Sequence, residues 1–449
     1  MGRQQFASKI GLVAATVGSA VGLGTVWRFP AETQEGGGAA FLLIYIACVL
    51  VLGIPVMLAE FAMGRAGHSD AVGSYRALAP GKQWHYAGFA AVAAATLIMI
   101  FYMVVGGWTL EYLINSITGD LFNTVDTRAS VTESFTEVMH QYVYSDFMPV
   151  VNTLLMVALN IAVLHAGVQK GIERLSTITM PILFVLLGVF CVYTLTLPNA
   201  ADGISFFLSP DFSKITPSVV ISALGQAFFS LSLGMGILVT YASYFPKDVR
   251  LGRTSIAVCL STLLVAILMG MIIFPALTSF GMTDSSVSGT TLVFVTLPEI
   301  FTNMPGTQFW AIAFFALLLI AAITSTVSLA EVPIAYIQRR FDTSRKTAVL
   351  AVLLPIAVLG SICAMSFGSL SDVLVMGKNL FTFLDDLTSD IMLPVVALAT
   401  CIYMGWFAPK GLMRSQLGGR RNFYTSFIIF AVRVIAPACI ITILLSNIL

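Results

Sequence analysis

Thr324, Ser325 and Thr326 stand in a row inside the apolar stretch ALLLIAAITSTVSLAE. Hydroxyl oxygens are hard ligands that suit a hard cation. Membrane helices also use Ser and Thr simply to bond their own backbone, so the run needs a context. Two further stretches supply one. GSAVGLGTVWRFP carries Gly18, Gly22 and Gly24 ahead of Arg28 and Pro30, and GQAFFSLSLGMGILVTYASY carries Gly234 and Gly236 beside Ser230 and Ser232. Small residues at such spacing can serve close helix packing. They can also mark a helix that unwinds in mid-membrane and exposes its backbone. Freed N–H groups at half-helix N-termini suit a carboxylate, and freed carbonyls suit a cation. Paired breaks plus a hydroxyl run therefore fit the binding of a zwitterion together with Na⁺.

The elements that must hold these groups are membrane helices. The 449 residues are 58% hydrophobic and 10% charged, too few charges to cover a soluble protein of this size. Apolar runs near the roughly 20 residues needed to cross a bilayer recur throughout. A β-barrel would show short alternating segments instead. Eleven spans are predicted, at 9–30, 39–64, 86–117, 149–166, 171–197, 217–243, 251–278, 308–338, 346–366, 379–407 and 423–448. No cleavable leader is expected, because the first apolar run leads straight into further spans. The net charge of +1 says nothing about nucleic acid, but no basic tract is present, and no nucleic-acid partner is expected. The six cysteines lie mostly in apolar segments, which argues against a disulfide framework.

The loops divide by charge. The N-terminus and alternate loops hold 18 of the 23 Lys and Arg residues, and the intervening loops hold only Arg128, Lys214 and Lys378. The positive-inside rule then places the N-terminus in the cytoplasm and the C-terminus outside. The acidic loop at 118–148 and the loop at 279–307 fall on the outer side, where they would cap a vestibule. With two five-helix units, the first and sixth spans hold matching places. Five is odd, so the second unit enters the membrane inverted, and paired Gly-interrupted helices of such repeats point to a midplane site. The predicted organisation is one domain over 1–449: a repeat at 9–197, an inverted repeat at 217–407 and an extra helix at 423–448.

GSAVGLGTVWRFP, EGGGAAFLLIY, GIPVMLAEFAMGR, GQAFFSLSLGMGILVTYASY and ITSTVSLAE, in this order, resemble the signature segments of the neurotransmitter:sodium symporter family. The similarity spans nearly the whole chain. It implies the inverted five-plus-five fold with helices one and six broken. It also implies a sodium site between helices one and eight, from the carbonyls of Gly18, Val21 and Ala321 and the hydroxyls of Thr324 and Ser325. A second family sodium site maps onto the Ala20 carbonyl, Thr25, Ser230 and Thr262. Family members often carry Asn at the position of Thr25 and Asn or Asp at that of Thr262, so one Na⁺ is expected here, with a second left open. The family's chloride site maps onto Tyr45, Gln226, Ser230, Thr262 and Ala266. No carboxylate stands at the last two positions, which leaves chloride dependence open as well.

For the substrate, the resemblance implies a pocket from Ala20, Gly22, Ile98, Tyr102, Phe229, Ser232, Met235, Thr326 and Leu329. Gly22 replaces the Asp that pairs with the ammonium in amine transporters, which favours an α-amino acid, and Tyr102 would bond its carboxylate. The pocket carries no charge, so a neutral, hydrophobic or aromatic side chain is expected. The resemblance pairs Arg28 with Asp385 at an outer gate, with the register open by one residue because Asp386 follows. Arg3 and Phe6 would belong to an inner gate, where Arg339 replaces an often acidic residue and Asp342 could serve Arg3. Glu60 would tie down the broken sixth helix, and Asp390 has no assigned partner.

The expected function is Na⁺-coupled import of a neutral amino acid by alternating access, in the plasma (inner) membrane, with the lipid bilayer as surroundings and no obligatory protein partner. A non-transporting amino-acid sensor of the same fold and a proton-coupled transporter are the alternatives. A membrane redox enzyme is a third and poor alternative: the four histidines, His68, His85, His140 and His165, are expected near span ends or in loops, with no paired haem ligands facing each other mid-membrane.

Overall fold

A computed structural model of the chain describes residues 5–123, 131–282, 289–419 and 422–448. The described residues are helical with short connections. In chain order, the elements that position the site are α1 (Lys9–Ala20), α2 (Gly24–Glu35), α3 (Ala39–Gly67), α4 (Ala71–Leu78), α5 (His85–Thr118), α6 (Phe147–His165), α7 (Val168–Thr194), α8 (Pro217–Ser230), α9 (Ile237–Ser243), α10 (Leu251–Ser279), α11 (Gly289–Thr302), α12 (Thr307–Phe341), α13 (Arg345–Phe367), α14 (Leu380–Phe407) and α15 (Phe423–Ser446).

Among the described residues, nine of these helices are each long and apolar enough to cross a membrane. The two other predicted spans are both interrupted. Residues 9–30 form α1 and α2, bent by 52° at Val21–Leu23. Residues 217–243 form α8 and α9, of 14 and 7 residues, separated by 231–236. The expected unwinding at 20–24 and around Gly234 and Gly236 is therefore where the helices stop. The chain is thus an all-helical, multi-pass membrane protein with its first and sixth predicted spans broken.

Local chemistry sets many ends. Ser8 caps α1 by accepting from Gly11 N at 2.8 Å. Thr216 caps α8 with Pro217 at its first position, and Asn422 caps α15. Such residues satisfy N–H groups that have no intrahelical partner. α12 is the central strut and packs against α5, α1, α7, α9 and α13. Of the two loops expected to act as caps, the second carries α11, whose Phe294 packs on Trp108 and Tyr112 with ring centroids 5.9 and 4.9 Å apart. All six cysteines are free.

Candidate functional site

The two breaks face each other and are stitched together. Ser232 Oγ donates to the Ser19 carbonyl at 2.8 Å, and Gln226 Nε2 donates to the Gly24 carbonyl at 2.9 Å. Ser232 has φ +54°, a value rare for a residue with a side chain. Gly234 and Gly236 follow at φ +78° and +73°, which explains why glycine stands there. Glu60 Oε1 accepts from Gly234 N at 2.8 Å, so the helix-two glutamate does tie down the broken segment.

Between the breaks lies a small cavity of about 20 Å³. Eight of the nine predicted substrate residues line it: Ala20, Gly22, Ile98, Tyr102, Phe229, Ser232, Met235 and Leu329. Ser19, Gly24, Ser230, Ile237 and Ser325 also contribute, and no Asp, Glu, Lys, Arg or His does. Phe229 roofs the cavity, 6.4 Å from the Tyr102 ring, with the Arg28 guanidinium 5.2 Å above its centroid. A Cβ on Gly24 would strike this ring.

Thr326 is the exception. Its hydroxyl bonds the Ala322 and Ile323 carbonyls at 3.0 and 3.1 Å, and it lies off the cavity wall. The cause is helical periodicity. Ser325 and Leu329 are four residues apart and share the cavity face, whereas Thr326 is rotated by about 100° from Ser325.

The helix-one break meets α12 at the predicted sodium residues. A Cβ on Gly22 would strike the Ser325 hydroxyl, and one on Gly18 would lie 3.3 Å from Thr324 Cβ. Thr324 Oγ1 is held by the Ile320 and Ala321 carbonyls at 3.0 and 3.1 Å, and Ser328 Oγ by the Thr324 carbonyl at 2.7 Å. Ser325 differs: its buried Oγ has no hydrogen-bond partner among the described residues. A buried polar group is normally satisfied. An unpartnered hydroxyl beside unwound backbone at Val21 fits an oxygen ligand for a cation.

The second predicted sodium set is only half assembled. Thr25 Oγ1 reaches the Ala20 carbonyl at 3.4 Å. Ser230 Oγ is engaged by Tyr45 Oη at 2.8 Å, and Thr262 Oγ1 turns back to the Val258 carbonyl at 3.0 Å. The expected chloride residues Tyr45 and Ser230 are thus bonded to each other. Gln226 stands nearby with its Oε1 unpartnered, and Ala266 is fully buried.

At the end expected to face outward, the expected Arg28–Asp385 ion pair is not among the salt bridges of the described residues. Arg28 Nε bonds Glu32 Oε1 at 3.3 Å, one helical turn along α2, and Glu32 is also bonded by Ser222. Asp385 accepts from Ser389 Oγ at 3.0 Å, while Asp386 pairs with Lys378. Asp385 and Asp386 thus take different partners, and neither takes Arg28. Asp390 lines a cavity with Arg28 and Glu32.

At the opposite end, near the N-terminus, Phe6 is buried in an aromatic cluster, 5.7 Å from Tyr241, 6.3 Å from Tyr244 and 6.2 Å from Phe245. Glu173 holds the start of α1 through Ala7 N, Ser8 N and Ser8 Oγ at 2.8, 3.0 and 2.8 Å. Lys9 hydrogen-bonds Asp248 at 2.6 Å and so holds that exposed carboxyl below the usual range. Arg3 lies outside the described residues. Arg339 donates instead to Ser69 Oγ and the His68 carbonyl, at 2.5 and 2.6 Å. Asp342 ends α12 in the left-handed conformation.

One buried ion pair was not anticipated. Glu331 accepts from Arg345 Nη1 and Nη2 at 2.8 and 2.6 Å and from Tyr244 Oη at 2.7 Å. A usable signal was present: Glu331 lies in an otherwise apolar part of α12, and Arg345 opens α13 after a short turn. A tight helical hairpin brings two such positions together.

The comparisons with known proteins agree with this geometry. The Sodium:neurotransmitter symporter family model matches residues 3–449. A sodium-dependent transporter of Bacillus subtilis is 36% identical, covering 98% of this chain and 97% of its own length. One of Haemophilus influenzae is 35% identical, covering 99% and 98%. The crystal structure of MhsT in complex with L-phenylalanine superposes with a TM-score of 0.91 at 42% identity, over 99% of this chain and all of the other. Two broken helices enclosing an uncharged cavity, an unpartnered hydroxyl at their edge and this whole-length match together make the chain a member of the sodium:neurotransmitter symporter family.

Proposed function

We propose that the chain imports a neutral amino acid with a hydrophobic or aromatic side chain, driven by Na⁺, by alternating access. The observation that carries the reading is the unpartnered Ser325 hydroxyl at the cavity edge, against the unwound turn at Gly22. With no ionisable acid or base on the cavity wall, a zwitterion's charges must be met by backbone groups of the breaks and by Na⁺. A charged substrate side chain would lie uncompensated there, at a high cost. The match to a transporter holding L-phenylalanine supports the same class.

In this reading Gly18, Val21, Ala321, Thr324 and Ser325 hold one Na⁺. The substrate carboxylate lies toward Gly22 and Tyr102. Its ammonium faces the carbonyls of Ala20, Phe229 and Ser232. Ala20, Thr25, Ser230 and Thr262 form a weaker second cation site. Phe229 and Arg28 close the outside, and release inward requires Phe6 and α1 to leave the aromatic cluster. Segments 9–197 and 217–407 act as inverted repeats, with the N-terminus inside and the C-terminus outside. Since Na⁺ and substrate share the break, each must raise the other's affinity.

The test is accumulation of labelled amino acids in proteoliposomes under an inward Na⁺ gradient, against K⁺ and against a pH gradient alone, with and without Cl⁻. Na⁺-dependent accumulation of phenylalanine or leucine is expected, and Thr324→Val with Ser325→Ala abolishes it. Binding without accumulation would make the chain a sensor, and accumulation on the pH gradient alone would make it proton-coupled. Unaltered Na⁺-dependent uptake by the double variant would overturn the ion-site assignment.

A further inference from the structure

A second polar cavity lies away from the transport site, between α4 and the last turns of α12, on the end that carries the N-terminus. It has a volume of about 400 Å³, opens to the surroundings and is walled by Ser69, Asp70, Arg76, Tyr336, Arg339 and Arg340 among others. Three guanidinium groups converge on it against one carboxylate. That carboxylate is already committed: Asp70 Oδ1 accepts from Val72 N and Gly73 N, both at 3.0 Å, and Oδ2 accepts from Ser69 Oγ at 3.1 Å. Arg339 is fixed in place by its bonds to Ser69 and His68. Arg76 and Arg340 make no salt bridge among the described residues. Each instead lies near a ring, Arg76 at 5.6 Å from the Phe89 centroid and Arg340 at 5.9 Å from that of Phe341. Their N–H groups remain available, and guanidinium donors bind phosphate in a bidentate manner.

The rings also fix the depth. Phe89 packs edge-on to Tyr336 at 5.5 Å, next to Tyr86, which is 62% exposed, and Phe341 is 64% exposed at the end of α12. α5 begins at His85 and α12 ends at Phe341, so these aromatics mark the level where the helices leave the hydrocarbon. Exposed rings at that level form an interfacial belt. Basic residues at helix ends alone would satisfy the positive-inside bias while pointing into water. Here they surround a cavity of headgroup size that opens beside the belt, and basic pockets between helices at this level suit phosphate headgroups.

We propose that this cavity binds the phosphate headgroup of an anionic phospholipid in the leaflet on the N-terminal side. Arg76, Arg339 and Arg340 donate to the phosphate, and the flanking rings receive the glycerol and upper acyl region. The lipid would brace α4 against the end of α12.

The test is native mass spectrometry of the delipidated full chain, titrated with phosphatidylglycerol, phosphatidylcholine or inorganic phosphate. Phosphatidylglycerol should bind in preference to phosphatidylcholine. Arg76→Gln with Arg340→Gln should weaken it by about fivefold per arginine, roughly 25-fold together. The control pair Lys410→Gln with Arg414→Gln, exposed basic residues elsewhere, should leave it unchanged. A Na⁺-induced rise in melting temperature in both pairs shows that they are folded. Unchanged phosphatidylglycerol binding in the Arg76/Arg340 variant overturns the proposal, as does an equal loss in the control pair. Inorganic phosphate that binds as tightly as the lipid would make this a free-anion site and overturn the lipid assignment.

Discussion

Removing the Ser325 hydroxyl should stabilise the protein without Na⁺ and weaken it relative to wild type with Na⁺. Four hydroxyls occupy 324–328 of α12. Those of Thr324, Thr326 and Ser328 bond carbonyls of the preceding turn, whereas the Ser325 hydroxyl is buried and unpartnered. An unsatisfied buried hydroxyl costs about 1–3 kcal/mol. Ser325→Ala deletes that cost, keeps the helix and fills no new space, so in K⁺ the variant should gain about 1 kcal/mol or more. Wild type should recover more than this when Na⁺ binds: a ligand present at 100 times its Kd contributes about 2.7 kcal/mol. The variant, lacking a ligand, should show little of that gain, so the order of the two proteins inverts between salts. The assay is thermal unfolding followed by tryptophan fluorescence, in one detergent and at one heating rate, because unfolding of such proteins is commonly irreversible and rate-dependent. Thr324→Val is the internal comparison, since its hydroxyl is already bonded and its loss in K⁺ yields no stabilisation. A Ser325→Ala protein less stable than wild type in K⁺, or one that Na⁺ stabilises as much as wild type, would refute the reasoning.

Three further perturbations follow from the contacts. Gly24→Ala pushes a methyl group into the Phe229 ring; overpacking of about 1–3 kcal/mol should lower substrate affinity by roughly 10- to 100-fold in a scintillation proximity assay. Phe6→Ala empties the inner aromatic cluster at a cost of about 3–5 kcal/mol. Amide hydrogen exchange across α1 should accelerate, with that of α12 little changed. Glu331→Ala strands the Arg345 guanidinium, whose side chain is only 11% exposed, and should cost about 3–5 kcal/mol in thermal stability. The added change Arg345→Ala should restore part of it, and a strictly additive double variant would show that the pair is not coupled.

The parts of this protein that could be read from the sequence are those fixed by local rules. Span positions follow from apolar run length because the bilayer demands it. The helix breaks follow from glycine placement, and the residues expected around the cavity follow from the family resemblance; eight of those nine line it. A row of three hydroxyls does not say which one faces the cavity; the helical rotation turns Ser325 to it and Thr326 away. Glu331 was overlooked because its partner lies 14 residues away, across a turn whose geometry no single residue announces.

Sequence alone therefore determined that the chain is a bundle of membrane helices with two breaks and a run of hydroxyls inside one of its spans. Only the tertiary structure decided which polar groups pair. Arg28 lies within reach of one carboxylate on its own helix and others on α14, and it takes Glu32. Ser230 turns to Tyr45, and of the four hydroxyls at 324–328 only that of Ser325 is left without a partner among the described residues. The reason is range. Burial and backbone release act residue by residue and leave a mark in composition. A hydrogen bond or ion pair depends on ångström-scale placement of helices distant in sequence, set by packing across the whole bundle.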